Sequence, residues 1–299
     1  GHIISGLSID AVGYHFQGLF GACYTNSTLK NIIIRRSSLK GDGYYLGLVA
    51  GYSQGVIDNC RVQGDISGAG LCVGGIVGRS YGTVQRSSFS GSVDAAGYVG
   101  GIAGYSYGAI DACHSDADVS IKVRITDAAS CVGGIAGLAQ SFSTAREGVL
   151  TDCRFSGTVT QASGYGFTGG IAGYMYAVEV KRCLNTGSVA ATSASATTEQ
   201  TGGIAGIVRD VNISDCLNAG AVSSQGTSAG TGGLIGFITT TYSSIGGMLE
   251  PISVKNCYNS GQVLARKRTA HAGVFGDEFV MEQYPEKPSD TAFNNVYTD

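Results

Sequence analysis

Gly-Gly-Ile-Ala-Gly stands at residues 100–104, 133–137, 169–173 and 202–206 of a chain of 299 residues. Looser copies, such as Gly18-Leu19-Phe20-Gly21, bring the number of these boxes to nine, with starts about 26 to 40 residues apart. Self-similarity at a fixed period of about 20–50 residues is typical of solenoids and propellers. The boxes therefore predict a repeat architecture.

A second phrase follows each box at a fixed internal spacing, as in Val180, Cys183, Gly187 and Val189. Short β-branched runs between glycine-rich turns are typical of strands, and the spacers are too short for a helix in every unit. We predict an all-β fold, a right-handed parallel β-helix (solenoid) of about nine coils of roughly 26–40 residues. Each coil is expected to hold three strands: the box, the strand ending near the Cys, and the Gly-x-Val strand.

The apolar residue and the Cys of this phrase lie three positions apart, which is an odd number. Strict alternation along a strand cannot point both side chains inward, so we predict a bend or a bulge between them. The solenoid is assigned to residues 1–276. Residues 277–299 lose the box and hold two of the three prolines, and we interpret them as an irregular C-terminal cap over the last coil.

Most of the nine Cys residues occupy one repeat position. Stacked strands lie about 4.8 Å apart, so these residues should form a column of small side chains. We predict buried, reduced thiols and neither disulfides nor a metal site. A short Asn stack at a tight turn is predicted at a neighbouring position. The Cys column comprises Cys60, Cys113, Cys153, Cys183, Cys216 and Cys257, and the Asn stack comprises Asn185, Asn218 and Asn259.

Composition excludes several classes of function. The net charge of −3 and the pI of about 5.8 argue against a nucleic-acid partner, which would require a basic face. No run approaches the roughly 18 apolar residues of a membrane span, so no membrane insertion of this segment is expected. The four His residues are scattered, with no His-Glu-x-x-His and no phosphate-binding loop. We expect a monomer that binds no metal and no cofactor.

The lead-in at residues 2–9 followed by the Gly18-Leu19-Phe20-Gly21 box resembles GLUG-motif repeat proteins. The resemblance covers nearly the whole chain. It implies a bacterial secreted or cell-surface protein of adhesin type, with host or microbial glycans or surface proteins as partners. Some GLUG-bearing chains carry a metallopeptidase, but this segment lacks its zinc-binding motif.

Two acidic residues are candidates for catalysis because β-helices often belong to polysaccharide hydrolases and lyases. Asp58 and Asp111 occupy one repeat position two coils apart, about 9.6 Å by strand spacing. That separation is at the upper edge for an inverting glycosidase, about 6.5–9.5 Å. Asp152 and Asp215 form a similar pair one position further along. The alternative is solvated polar side chains on outward strand positions, and we expect a non-catalytic protein.

Binding residues are predicted on two features. Tyr side chains follow several boxes at fixed positions, where they form either a structural ladder or a platform for sugars. Long surface loops are retained most readily where they carry a function, and the longer connections lie in the C-terminal half. One of them is a compact basic loop, which is either solvated or suited to an anionic glycan. The binding residues predicted there are Tyr242, Arg266, Lys267, Arg268 and His271.

Overall fold

The computed structural model shows an all-β solenoid. It describes residues 3–10, 12–122, 130–141, 148–194, 198–226, 230–239 and 252–265, and the strand backbones at 275–279, 292–294 and 297–298. Every strand pairing within these ranges is parallel and joins one coil to the next. The predicted parallel β-helix is confirmed.

Four sheets, numbered here in the order in which each coil visits them, run the length of the solenoid. The eight strands of sheet 1 are Phe16–Gln17, Tyr45–Gly47, Cys72–Gly74, Tyr98–Gly100, Ser130–Gly133, Tyr165–Gly169, Thr198–Gly202 and Gly230–Gly232. The nine strands of sheet 2 are Phe20–Cys23, Ala50–Ser53, Val77–Ser80, Ala103–Ser106, Ala136–Gln140, Ala172–Tyr176, Ala205–Arg209, Ile235–Thr239 and Phe275–Phe279.

The other two sheets complete each coil. The nine strands of sheet 3 are Thr28–Lys30, Val56–Asp58, Thr83–Gln85, Ile110–Asp111, Gly148–Thr151, Val178–Lys181, Asn212–Ser214, Ser253–Lys255 and Ala292–Asn294. The sixteen strands of sheet 4 are Ile3–Ser5, Ser8–Asp10, Ile33–Gly41, Arg61–Gly68, Ser88–Ala95, His114–Ser115, Asp118–Ile121, Arg154–Phe155, Thr158–Gln161, Leu184–Asn185, Ser188–Ala191, Leu217–Asn218, Val222–Ser224, Tyr258–Asn259, Val263–Ala265 and Tyr297–Thr298.

The prediction of three strands per coil was wrong in one respect. The box is not a strand: its first residues end a strand of sheet 1, its middle residue lies at a corner, and its last residues begin a strand of sheet 2. The eight strands of sheet 1 are separated by about seven turns, so the expected count of about nine coils was approximate.

Each sheet sends one row of side chains into the interior, and these rows form one continuous core. The corner residue of each box is among them; Ile102, Ile135 and Ile171 are fully buried. The apolar residue before each Cys and the Val of the Gly-x-Val strand fill the opposite side, as Ile110 and Val119 do. The repeated phrases of the sequence are therefore the inward rows of the solenoid.

The corner between sheets 3 and 4 explains the odd spacing before each Cys. The residue directly before the Cys adopts a left-handed conformation in coil after coil, with φ of 50° at Asn59 and 54° at Asp152. This single residue reverses the alternation, so that Ile57 and Cys60 both point inward. The predicted bend is confirmed.

The last glycine of the box sets the angle between sheets 1 and 2. A Cβ added at Gly104 would lie 2.3 Å from the backbone nitrogen of Val73 and 2.6 Å from the carbonyl carbon of Cys72. Both atoms belong to the sheet 1 strand of the preceding coil. Because no side chain fits there, glycine lets the two sheets meet closely at this corner.

The two predicted columns are present inside the solenoid. All nine Cys residues are buried and free, and burial raises the pKa of the Cys113 thiol to about 12. In the Asn stack, the Nδ2 of Asn185 donates to Asn218 Oδ1, and the Nδ2 of Asn218 donates to Asn259 Oδ1, each at 2.7 Å. The stack is confirmed as a buried amide ladder.

At the C-terminal end, Phe293 is in register with Val254, and Tyr297 is in register with Tyr258. Residues Ala292–Asn294 therefore contribute a further strand to sheet 3, and Tyr297–Thr298 contribute one to sheet 4. Most of 277–299 lies outside the described residues, and its role as a cap stays a prediction.

Candidate functional site: an aromatic seam between sheets 1 and 2

Three outward rows of side chains run side by side where sheets 1 and 2 meet, and we call them together the aromatic seam. The row on sheet 1 is Phe16, Tyr45, Cys72, Tyr98, Cys131, Phe167, Gln200 and Gly230. The first row on sheet 2 is Ala22, Tyr52, Arg79, Tyr105, Leu138, Tyr174, Ile207 and Phe237. The second row on sheet 2 is Tyr24, Gln54, Tyr81, Tyr107, Gln140, Tyr176, Arg209 and Thr239.

Aromatic rings cross the corner and join the two sheets. The ring centroids of Tyr98 and Tyr105 lie 5.4 Å apart in an edge-on arrangement, and those of Phe167 and Tyr174 lie 5.8 Å apart. Tyr45 and Tyr52 form a similar contact. Such contacts are possible because the box glycine brings the strands together, and they fix the orientation of each ring.

Rings on sheet 2 also stack, both between neighbouring coils and within one coil. Tyr81 and Tyr107 lie 4.6 Å apart with an interplanar angle of 13°, and Tyr105 and Tyr107 lie 4.4 Å apart at 21°. The structural ladder expected from the Tyr positions is therefore present. The rings remain partly exposed, and the first coils expose Phe16 by 48% and Tyr24 by 67%. The ladder is thus also a surface that a ligand can contact.

Arg79 lies at the centre of the richest part of the seam. Its guanidinium carbon is 5.0–5.3 Å from the ring centroids of Tyr45, Tyr81, Tyr105 and Tyr107. Its Nη1 donates to the hydroxyl of Tyr45 at 2.6 Å, and its Nη2 donates to the hydroxyl of Tyr107 at 3.2 Å. A cation over several aromatic faces is stabilised by the ring quadrupoles, which holds this side chain in one position.

Arg209 repeats part of this arrangement four strands further along sheet 2. Its guanidinium carbon lies 4.9 Å from the ring centroid of Tyr176, and it hydrogen-bonds Tyr174. The Nε atoms of Arg79 and Arg209 are both buried without a hydrogen-bond partner. The seam therefore offers two fixed cations with unused donors.

The floor of the seam is formed in part by two thiols. Cys72 and Cys131 sit on the outward row of sheet 1, yet each is only 1% exposed because the larger side chains around them close over the row. Burial raises the pKa of Cys72 to about 12, and burial also raises the pKa of Tyr98 to about 12. These groups stay protonated at neutral pH and act as apolar and hydrogen-bonding surface.

Up to Phe237 and Thr239 the three rows contain no Asp or Glu, and the first row on sheet 2 then continues to Asp277, which is in register with Phe237. Asp210 follows Arg209 in sequence, but it is buried at the next corner. The other acidic residues of the described ranges lie off these rows, and the chain has a net charge of −3. The seam is therefore a locally positive strip on an acidic protein.

The acidic pairs considered for catalysis are placed as the repeat predicts. Asp58 and Asp111 lie on sheet 3 with Gln85 between them in register. Asp58 forms an ion pair with Nη2 of Arg86 at 2.7 Å. Asp152 receives two hydrogen bonds from Arg182, at 2.8 and 2.7 Å, which lower the pKa of its carboxyl group. An arginine thus engages one acid of each pair, and the structure brings neither pair to the seam.

The binding residues predicted on the C-terminal loops all lie outside the described residues: Tyr242, Arg266, Lys267, Arg268 and His271. Their role stays a prediction. Within the described residues, no group of three or more His, Cys, Asp or Glu is arranged to hold a metal ion. None of the elements described there is a helix long and apolar enough to cross a membrane.

Sequence reasoning missed half of the seam. It noticed Tyr52, Tyr105 and Tyr174 directly after their boxes, but not Arg79, which occupies the same repeat position. The row on sheet 1 was visible only through the shared position of Cys72 and Cys131, three residues before the second box glycine. Aligning all nine boxes at that position would have brought Tyr45, Tyr98 and Phe167 into the same row.

These features define a class of protein: a parallel β-helix repeat with an outward aromatic strip. The family described as the GLUG motif matches residues 42–67 and 128–160. These two segments therefore carry the GLUG motif that the boxes predict. Both matched segments contribute strands to sheets 1 and 4.

Two further comparisons place the chain among known proteins. It is 42% identical over 78 residues to halomucin from Haloquadratum walsbyi, a match that covers 26% of this chain and 1% of that protein. The crystal structure of a candidate immunoglobulin A1 protease from Bacteroides ovatus is similar over 80% of this chain and 68% of the other, with 18% sequence identity and a TM-score of 0.49. The chain spans a very small part of the length of the curated relative.

Proposed function

We propose that this chain is a non-catalytic binding segment of a secreted or cell-surface protein, and that it binds glycans on its aromatic seam. The observation that carries the proposal is the set of partly exposed rings that follows the solenoid axis on sheets 1 and 2. The GLUG motifs and the halomucin match support a setting at the cell surface.

The chemistry of the seam suits sugars. A tyrosine offers an apolar ring face or edge beside a polar hydroxyl, which matches the apolar faces and hydroxyl rim of a pyranose. The hydroxyl of Tyr45 accepts from Arg79, and that of Tyr52 accepts from Gln54 at 2.7 Å. Each phenolic O–H is then left to donate to a ligand.

Spacing favours a glycan over an extended peptide along the same strip. The rows repeat with the strand spacing, about 4.8 Å, whereas side chains on one face of an extended peptide recur about every 6.6–6.8 Å. A peptide lying along the axis would lose register with the rows within a few residues. A peptide added to a sheet edge is a different mode, and the seam lies on sheet faces.

The absence of catalysis is part of the proposal. The Arg86 contact neutralises Asp58 where an inverting mechanism would need a free acid or base. The test incubates the protein with neutral and uronic-acid polysaccharides and measures reducing ends and unsaturated products. No release is expected. Release that is lost in Asp58→Ala or Asp111→Ala would establish the enzyme instead.

Glycan binding is tested by comparing wild type with Phe16→Ala, Tyr24→Ala and Tyr52→Ala on a glycan array and by calorimetry. Phe16 and Tyr24 are well exposed, so their removal should leave stability nearly unchanged and weaken binding. Tyr258→Ala, on sheet 4, is the matched control and should bind as wild type does. Unchanged binding in all three seam variants would contradict the proposal.

A further inference from the structure

We propose that the glycan held on the seam is acidic, and that Arg79 and Arg209 are the two positions that receive its carboxylate or sulfate groups. The inference rests on the proposed function and names the class of ligand. It is carried by the two guanidinium groups, which are the only charged groups in the described rows from Phe16 to Phe237 and Thr239.

Neither cation pairs with an acid among the residues that the structure describes. Arginines on other faces pair with acids, as Arg86 does with Asp58 and Arg182 does with Asp152. Within the described residues, the side chains of Arg79 and Arg209 contact and hydrogen-bond tyrosines. An arginine held by aromatic rings keeps its full positive charge, so an anion is the missing partner.

The donors of Arg79 are arranged for an anion. The contacts to Tyr45 and Tyr107 use one N–H on each terminal nitrogen, which leaves a second N–H on each. Tyrosines surround the guanidinium and set its plane. A planar fork fixed in this way can receive a carboxylate or sulfate by two parallel hydrogen bonds without a further loss of side-chain entropy.

The two positions also set the length of the ligand. Arg79 and Arg209 lie on strands of sheet 2 that are four steps apart. At about 4.8 Å per step, the separation along the axis is about 19 Å. Tyr105 and Tyr174 lie between them on the seam. A ligand that reaches both cations is therefore an oligomer with repeated acidic groups, and the aromatic rows contact the sugar rings between those groups.

The local charge explains why the seam rather than another face would hold such a ligand. The chain has a net charge of −3, and between Arg79 and Arg209 the three rows hold no acid. Like charges disfavour an acidic polymer on the other faces, and the partly buried cations are screened by salt less than exposed ones. Electrostatic complementarity of this kind supplies specificity more than affinity.

The experiment uses matched pairs of polysaccharides. Heparin is compared with its desulfated, N-acetylated and carboxyl-reduced form, and hyaluronan and polygalacturonate are each compared with the carboxyl-reduced form. Each is measured by calorimetry with wild type and with Arg79→Gln, Arg209→Gln and Arg61→Gln. Arg61 is exposed on sheet 4, so its variant removes the same charge without touching the seam. Thermal unfolding of each variant identifies any loss of folding, and Arg209→Gln carries the test if Arg79→Gln is unfolded.

At least one acidic polysaccharide should bind, and its neutral counterpart should bind at least about tenfold more weakly, the effect of losing one charge-assisted hydrogen bond. Arg79→Gln and Arg209→Gln should each lower the affinity by a similar factor, and Arg61→Gln should not. Equal binding of acidic and neutral forms, or equal effects of all three variants, would overturn the acidic specificity and leave glycan binding intact. Binding of none of the six polysaccharides would overturn both proposals.

Discussion

Arg79 on sheet 2 donates from Nη1 to the hydroxyl of Tyr45 on sheet 1 of the preceding coil, at 2.6 Å. The two residues are 34 positions apart in sequence and meet because each coil stacks in register on the one before. The bond ties two sheets and two coils together at one surface point. The candidate binding surface is therefore built into the repeat and needs no flexible loop to form it.

The corner between sheets 1 and 2 is expected to tolerate no side chain at the last box glycine. Gly104→Ala would place a Cβ 2.3 Å from the backbone nitrogen of Val73, so strands must separate. We expect a destabilisation of about 1–3 kcal/mol, the usual cost of overpacking, measured by urea unfolding.

Gly21→Ala is the matched control because it changes the same box position in the first coil. A Cβ there meets no backbone of another coil within 4 Å among the described residues, and its nearest neighbour is the carbonyl oxygen of Phe16 at 3.2 Å. This variant should lose much less stability than Gly104→Ala. Equal losses would show that the close approach of the two sheets is not what requires glycine.

The amide ladder should depend most on its central member. Asn218→Ala removes hydrogen bonds to both Asn185 and Asn259 and leaves buried polar atoms unpaired. We expect a loss of about 2–5 kcal/mol in the free energy of unfolding. Asn212→Ala, on sheet 3 and partly buried, should cost about 0.5 kcal/mol or less. A small effect at Asn218 would mean that water replaces its partners.

The thiols should be reduced and protected. In denaturant without reductant, all nine Cys residues should react with a thiol reagent, because none is bonded to another. In the folded protein at neutral pH the reaction should be slow, since burial raises the pKa of Cys72 and Cys113 to about 12 and only the thiolate reacts. Cys23, the most exposed at 7%, should react first. Recovery of seven thiols or fewer would reveal a disulfide.

Glu199 should make stability depend on pH. It is fully buried in a sheet 1 strand, its carboxylate oxygens have no partner, and burial raises its pKa from 4.5 to about 7. The neutral form is favoured in the folded state. The contribution of protonated Glu199 to the free energy of unfolding is therefore fully present below pH 4.5. It is lost as the pH rises through 7, and the free energy of unfolding falls by about 3 kcal/mol in all.

Glu199→Gln keeps the shape of the side chain and removes its titration. Unfolding free energies measured from pH 4 to 9 should fall in the wild type relative to this variant across the interval between the two pKa values. Parallel curves for the two proteins would contradict the assignment and would indicate that the carboxylate finds a partner when it ionises.

The sequence predicted the solenoid because its two repeated motifs supply the side chains that point into the core. Core positions tolerate little variation, so the repeat is visible in the sequence. Cys60 and Ile57 showed that a bend was needed, but the pattern alone did not show a single left-handed residue such as Asn59 at that corner. Three strands per coil were expected, whereas each coil contributes to four sheets. The difference arises because the sequence of a glycine box is compatible with either a strand or a corner between two strands. Only the close approach of backbones at Gly104 distinguishes the two.

The candidate site was harder to predict for a physical reason. Outward rows vary in residue type, so Arg79 among tyrosines, or Cys72 beside Tyr98, breaks any simple pattern. The contact between Arg79 and Tyr45 also joins different repeat positions of different coils. Such a relationship follows from the angle between two sheets, which the spacing of residues along the chain does not encode.

Hydroxyl-radical footprinting of the tyrosines, with and without a bound acidic polysaccharide, tests the central claim most directly. The account predicts that Tyr24, Tyr52 and Tyr81 on the seam lose reactivity when the ligand binds, whereas Tyr258 on sheet 4 keeps its reactivity. Protection of Tyr258 with unchanged reactivity along the seam would contradict the claim that the aromatic seam is the binding surface.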